Sequence, residues 1–134
     1  MHRLITILLL NVLVLLPVFA QTVPPDLAKA IGMGDASKMS AYFHQSLELT
    51  ILDNDYEASK NQATRIMDNF FKKHTPTHFK VSFEGTKEQS KYAIGTLTTK
   101  DGAFRVNLFF LNKEGVRLIY YLSIEKESRY ELDP

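Results

Sequence analysis

Residues 59–74, SKNQATRIMDNFFKKH, restrict this chain more than any other stretch, because a clean helical pattern gives way there to a strand pattern that runs almost to the end. Ser59 is a good N-cap, and Gln62 stands three residues on, where its side chain can return the hydrogen bond of a capping box. Ala63, Ile66, Met67, Phe70 and Phe71 fall at i, i+3, i+4, i+7 and i+8, one stripe of a 3.6-residue helix. Lys72, Lys73 and His74 bring positive charge to the last turn, and Pro76 forbids continuation. Burying the four large side chains is worth about 1.5–3 kcal/mol each before entropy is subtracted. A sheet built from the later residues has to cover that stripe.

After Pro76 the period is 2. Phe79, Val81 and Phe83 alternate with polar residues, and Gly85 closes this first strand. Tyr92, Ile94, Thr96 and Thr98 face one way in the next, with Ala93, Gly95 and Leu97 opposite; Gly95 marks a bend or a close backbone approach. Asp101-Gly102 predicts a type I′ hairpin turn. Phe104, Val106, Leu108 and Phe110 then alternate with Arg105, Asn107 and Phe109, and a turn at 112–115 follows. The last strand, 116–125, puts Leu118, Tyr120, Leu122 and Ile124 on one face and Ile119 and Tyr121 on the other. Ahead of the long helix, Leu27, Ala30 and Ile31 give a short helix stopped by Gly32 and Gly34. Asp35 caps a second, with Met39, Tyr42 and Phe43 on one stripe. Leu47, Leu49 and Ile51 make a short half-buried strand, and Asp53-Asn54-Asp55 a turn.

The expected class is therefore α+β: two short N-terminal helices, a short strand, one long helix, then a strongly bent antiparallel sheet of four strands wrapping the helices. Strands apolar on both faces, as Phe109 and Tyr121 indicate, predict one face over the helices and another able to support a homodimer.

The first twenty residues stand apart. A positive Met1-His2-Arg3 precedes an apolar run and then Val18-Phe19-Ala20, the small-residue pattern of signal-peptide cleavage after Ala20. This predicts export, to the periplasm of a Gram-negative bacterium or beyond, and no membrane association after cleavage. Residues 21–25 read as a linker, 26–125 as one domain and 126–134 as a charged tail. Without Arg3, acidic and basic residues balance, which argues against a nucleic-acid partner. There is no cysteine, hence no disulfide framework and no lipid-anchored cysteine.

The phrases SKNQATRIMDNFFKKHTP (59–76), KYAIGTLTTKDGAFRVNLFF (91–110) and AIGMGDASKMSAYFHQSLELTILD (30–53) resemble the nuclear transport factor 2-like superfamily of cystatin-like α+β cones. More closely, they are similar to a small exported bacterial family within it that carries only a domain-of-unknown-function label. The resemblance implies a sheet bent around helices. It leaves function open, since superfamily members include acid–base enzymes such as ketosteroid isomerase, scytalone dehydratase and polyketide cyclases, and also plain association domains.

An isomerase-like site needs a carboxylate base and a hydrogen-bond donor in one pocket. Tyr42 is a candidate donor; Glu48, Asp53 or Asp68 would have to be the base, yet alternation turns Glu48 away from the apolar set. His74 and His78 are separated by Pro76, His44 is isolated, and no metal-ligand set or cofactor motif is present in the sequence. Asp53-Asn54-Asp55 lacks the glycine and terminal glutamate of a calcium loop. Arg105, with Asn107 on the same strand face, is placed to clamp a carboxylate from a ligand or from the fold itself. The candidate binding residues are Tyr42, Phe70, Tyr92, Arg105, Asn107 and Tyr121. Two function classes follow: a non-catalytic domain that binds a small apolar ligand or pairs through its sheet, and a small cofactor-free enzyme of the isomerase, dehydratase or cyclase kind.

Overall fold

The computed structural model describes residues 22–127. The signal-peptide reading of residues 1–20 and most of the tail reading lie outside them. Three helices, α1 (Pro25–Met33), α2 (Ala36–Met39) and α3 (Lys60–Lys73), cover one face of a sheet of six strands. The strands are β1 (Phe43–Ile51), β2 (Asn54–Ser59), β3 (Pro76–Lys87), β4 (Ser90–Thr99), β5 (Gly102–Lys113) and β6 (Val116–Lys126), in the order β2-β1-β6-β5-β4-β3.

The long helix forms as its sequence requires. Ser59 accepts from the Gln62 backbone N–H at 3.2 Å, and the Gln62 side chain accepts from the Ser59 N–H at 3.0 Å. Together they satisfy two of the donors a helix start leaves unpaired. Ala63, Met67, Phe70 and Phe71 are buried, with Ile66 packed at the margin. In α1, Pro25 takes the first turn and Leu27, Ala30 and Ile31 are buried. Gly34, at φ 68°, is the cap that ends it, whereas Gly32 lies inside the helix, 3.4 Å from the Phe79 backbone nitrogen measured from an added Cβ. The Asp35 side chain accepts from the Lys38 N–H at 3.0 Å to start α2. The chain then tightens into a 3-10 turn at Ser40–Tyr42, so Phe43 opens β1 rather than extending the helix. Thr22 and Val23, in the segment read as a linker, are buried.

The sheet differs from expectation in three ways. It has six strands, not four, and it is mixed: β1 runs parallel to β6, with Ile51 opposite Ile124. The additional strand β2 escaped the period-2 reading because Ala58 alone is buried along it. Two bulges also reverse the facing of residues beyond them. Ser82 is an extra residue between Val81 and Phe83, so Phe79 and Val81 face the helices while Phe83 pairs with Ile94 on the other side. Tyr120 is an extra residue in β6, which turns Ile119, not Leu118 or Tyr120, into the core. Such bulges kink a strand and strengthen its twist, which bends a sheet around a core. Gly85 does not end β3, which continues to Lys87.

The turns shift as well. Thr99 pairs with Gly102, leaving Lys100-Asp101 as the loop, and Gly102 follows it at φ 134°. The two left-handed residues of a type I′ turn occur instead at Glu114 (φ 51°) and Gly115 (φ 79°), between β5 and β6. Between helices and sheet, Met39, Phe43, Met67, Leu108, Phe110 and Leu122 are fully buried, so side chains fill the interior of the cone.

Candidate functional site

The sheet face turned away from the helices carries the densest grouping of chemically capable side chains. Register defines it. Tyr92 on β4 lies opposite Phe109 on β5, which lies opposite Tyr121 on β6, which lies opposite Glu48 on β1, which lies opposite Glu57 on β2. The next row inward runs Phe83, Ile94, Asn107, Ser123, Thr50 and Asp55 across all six strands. The rings touch in sequence: Phe83 and Tyr92 centroids are 5.9 Å apart, Tyr92 and Phe109 5.6 Å and stacked, Phe109 and Tyr121 5.5 Å edge to face. Tyr120, displaced by its bulge, meets Phe109 at 6.2 Å, and its hydroxyl donates to Ser90 Oγ at 3.1 Å. Offset and edge-to-face contacts of this kind add about 0.5–1.5 kcal/mol each beyond area burial.

Glycine makes room for the ladder. A Cβ at Gly85 would stand 2.5 Å from the Tyr92 ring, so the ring lies directly on bare backbone. Gly95 does the same on the helix side, where an added Cβ would meet the Phe79 ring at 2.6 Å. The close approach expected at Gly95 is therefore an aromatic ring, and Gly85 marks a second one.

Several polar members at the centre of the face are occupied by neighbours within the sheet. Asn107 Nδ2 donates to Ser123 Oγ at 2.7 Å, and the serine is buried beneath the rings. Arg105 donates to Glu125 Oε2 at 2.9 Å, with the side chains 53% and 46% exposed. The carboxylate that Arg105 clamps thus comes from the adjacent strand, and a pair this open contributes about 0–1 kcal/mol. Asn107, Phe109, Tyr120, Tyr121, Ser123 and Glu125 line an open groove of about 380 Å³. A second of about 380 Å³ continues past Tyr121 between Glu48, Thr50, Asp55, Tyr56 and Glu57.

Of the six candidates read from sequence, the structure brings Tyr92, Arg105, Asn107 and Tyr121 together on this face. Phe70 and Tyr42 are elsewhere. Phe70 is 5% exposed in the core against Phe71 and Phe104, and Tyr42 is half-buried on the helix side. The candidate bases do not meet Tyr42: Glu48 points to the outer face, Asp53 sits in an exposed turn, and Asp68 pairs with Lys72 at 2.8 Å on the solvent side of α3. His74 caps α3, and His78 lies on β3 on the outer face. Sequence reasoning omitted Phe109, Ser123 and Phe83 from the site. The alternation of β5 and β6 carried the signal for the first two, while Phe83 was hidden by the bulge.

Residues 25–125 match the family described as domain of unknown function DUF4783. A crystal structure of a DUF4783 family protein from Bacteroides ovatus is 30% identical to this chain, covers 81% of it and 99% of its own length, and superposes with a TM-score of 0.76. More distant likenesses show the fold alone. A domain of unknown function with a cystatin-like fold from Nostoc punctiforme is 11% identical, with 79% of this chain and 74% of that one covered, at a TM-score of 0.63. An NTF2-like protein from Cytophaga hutchinsonii is 14% identical, with 75% and 89% covered, at 0.57. A search of curated proteins gives no match. With four-fifths of its length aligned to a solved member and its domain matched throughout, this chain belongs to the DUF4783 family, and its fold is the NTF2-like, cystatin-like α+β cone.

Proposed function

We propose that this is an exported, non-catalytic association domain whose outer sheet face pairs with the same face of a second copy. The observation that carries the reading is the aromatic ladder from Phe83 to Tyr121, held on a face that no helix covers. Its charges suit a second copy. The β2 side of the face is acidic, with Glu48, Asp55 and Glu57; the β3 side is basic, with Lys80 and Lys87. A two-fold axis parallel to the strands and over β5–β6 lays the basic edge of one copy on the acidic edge of the other. The rings then meet in the middle, giving the apolar centre and polar rim of a specific interface. A two-fold across the strands would oppose like charges, which selects the first arrangement.

Export rests on the positive start, apolar run and small-residue cleavage pattern of residues 1–20. The acid–base reading lacks support from geometry, since Glu48, Asp53 and Asp68 all lie away from Tyr42 and fully buried side chains occupy the interior. Sedimentation equilibrium of the chain purified from an exporting host tests the proposal. A dimer that Phe109→Lys converts to a folded monomer is the expected result, and charge reversal at Lys87 should weaken it until Glu57 is reversed too. A wild-type monomer at about 100 μM, far above the range of specific complexes, overturns it.

A further inference from the structure

A different site lies on the opposite side of the sheet, between α3 and the β1–β2 hairpin. Register puts Asn54, Tyr56 and Ala58 of β2 on the helix side, opposite Ile51, Leu49 and Leu47. The helix covers this hairpin only in part. Ile66, Asn69, Phe70 and Lys73, at i, i+3, i+4 and i+7, form the facing wall of a groove of about 220 Å³ that His74 closes. A second chamber of about 290 Å³ continues it toward Gln62 and Arg65, sharing Tyr56, Ile66 and Asn69. The groove's apolar surface comes mainly from Ile66 and the ring of Tyr56, which is 39% exposed, with Ile51 and Phe70 buried behind them.

The His74 end is built rigidly. A carboxylate only accepts, so His74 Nδ1–H donates to Asp101 Oδ2, at 2.9 Å across 27 residues of sequence. Phe70 and Phe104 both pack against the ring, at centroid distances of 4.9 and 5.0 Å, and against each other at 5.3 Å. The Nδ1–H bond fixes the ring's orientation, and Nε2, which accepts in the neutral ring, has no partner among the described residues and marks the edge of the groove rather than donating to the ligand. Beside it, the Lys73 ammonium has no ion-pair partner there, and the Asn54 and Asn69 amides have no hydrogen bonds there. The C-terminal carbonyls of α3 repel an anion, and Lys72 is paired with Asp68, so Lys73 and the two amides are the groups that offset them at this mouth. With Lys72 paired to Asp68, the one ammonium lining this mouth, Lys73, matches the single charge of a carboxylate rather than the roughly −1.5 to −2 of a phosphate monoester.

The geometry points to a binding site for a small amphiphilic carboxylate, its head at Lys73, Asn54 and Asn69 and its apolar body along Ile66 and Tyr56. The site lies on the other side of the sheet from the aromatic ladder, sharing Tyr56 and Glu57 with the outer groove at the β2 edge, so either can fail alone. The probes are octanoate, octanol, octylammonium and octyl phosphate, titrated into the whole chain and read by amide chemical shifts and calorimetry. Octanoate should move the resonances of Ile66, Asn69 and His74 and leave Phe109 and Tyr121 still. Lys73→Met should weaken it about tenfold or more, as loss of a charge-assisted hydrogen bond does. Lys73→Arg should restore binding, and Arg65→Met, at the far chamber, should change it little. The same titration on the Phe109→Lys variant separates this site from the dimer. Equal binding of octanol or octylammonium, tighter binding of octyl phosphate, shifts confined to the outer face, or no binding of octanoate would each overturn the assignment.

Discussion

The two faces of the sheet are built from the same residue types to different ends. Beneath the helices, Phe43, Phe104 and Phe110 are almost wholly buried and touch hydrocarbon. On the outer face, Phe109, Tyr92 and Tyr121 are half-buried, lean on one another, and are bordered by the Asn107–Ser123 and Arg105–Glu125 pairs. A core face is held by volume and complementarity, since every methylene there has neighbours on all sides. The outer face is held by ring-to-ring contacts and hydrogen bonds that leave one side of each ring open. The contrast teaches that aromatic content alone does not identify a core, and that a face whose rings stay partly exposed is a candidate contact surface.

The largest expected effect breaks the comparison if it fails. Phe43→Ala should cost about 3–5 kcal/mol by urea denaturation, as a large-to-small change in a packed interior. Phe109→Ala should cost about 1–2 kcal/mol in the monomer, because only part of its surface is removed from water. Equal costs would mean that the faces are not distinct. Gly95→Ala comes next. Its Cβ would meet the Phe79 ring at 2.6 Å and the Lys80 carbonyl at 2.9 Å, so about 1–3 kcal/mol of overpacking is expected. Gly85→Ala meets only the Tyr92 ring, which can move, and should cost less while altering tyrosine fluorescence. The order of these two glycines sharpens the comparison, because it reads how much each face yields. Ser59→Ala should then remove about 1 kcal/mol by loss of the capping box, on neither face. Smallest is the Arg105–Glu125 pair, for which a double-mutant cycle should give about 0.2–1 kcal/mol, declining with added salt.

Much of the fold was legible because its causes are local. The limits of α3 follow from Ser59, Gln62 and Pro76 acting over a few residues, and the burial of Met67, Phe70 and Phe71 follows from their spacing. Four of the six candidate residues met on one face because β4, β5 and β6 alternate there as their sequences do. Phe70, although a candidate binding residue by sequence, is core, since a phenyl ring on a helix stripe is buried whenever a sheet covers that stripe. The turn after β4 was misplaced by one residue, since Asp101-Gly102 satisfies a type I′ preference that Glu114-Gly115 fulfils with fewer sequence cues.

By itself the sequence determined the helices, the α+β order, and the alternation that gives β5 a core side and an open side; each depends on side chains a few bonds apart. Tertiary structure alone decided that β1 lies parallel to β6, that the exposed Asn54–Ser59 becomes an edge strand, and that Ser82 and Tyr120 bulge. Those outcomes depend on pairing between strands distant in the chain. They are fixed only when the cone closes, because a one-residue change of register sends a buried ring to water and a solvated one to the core.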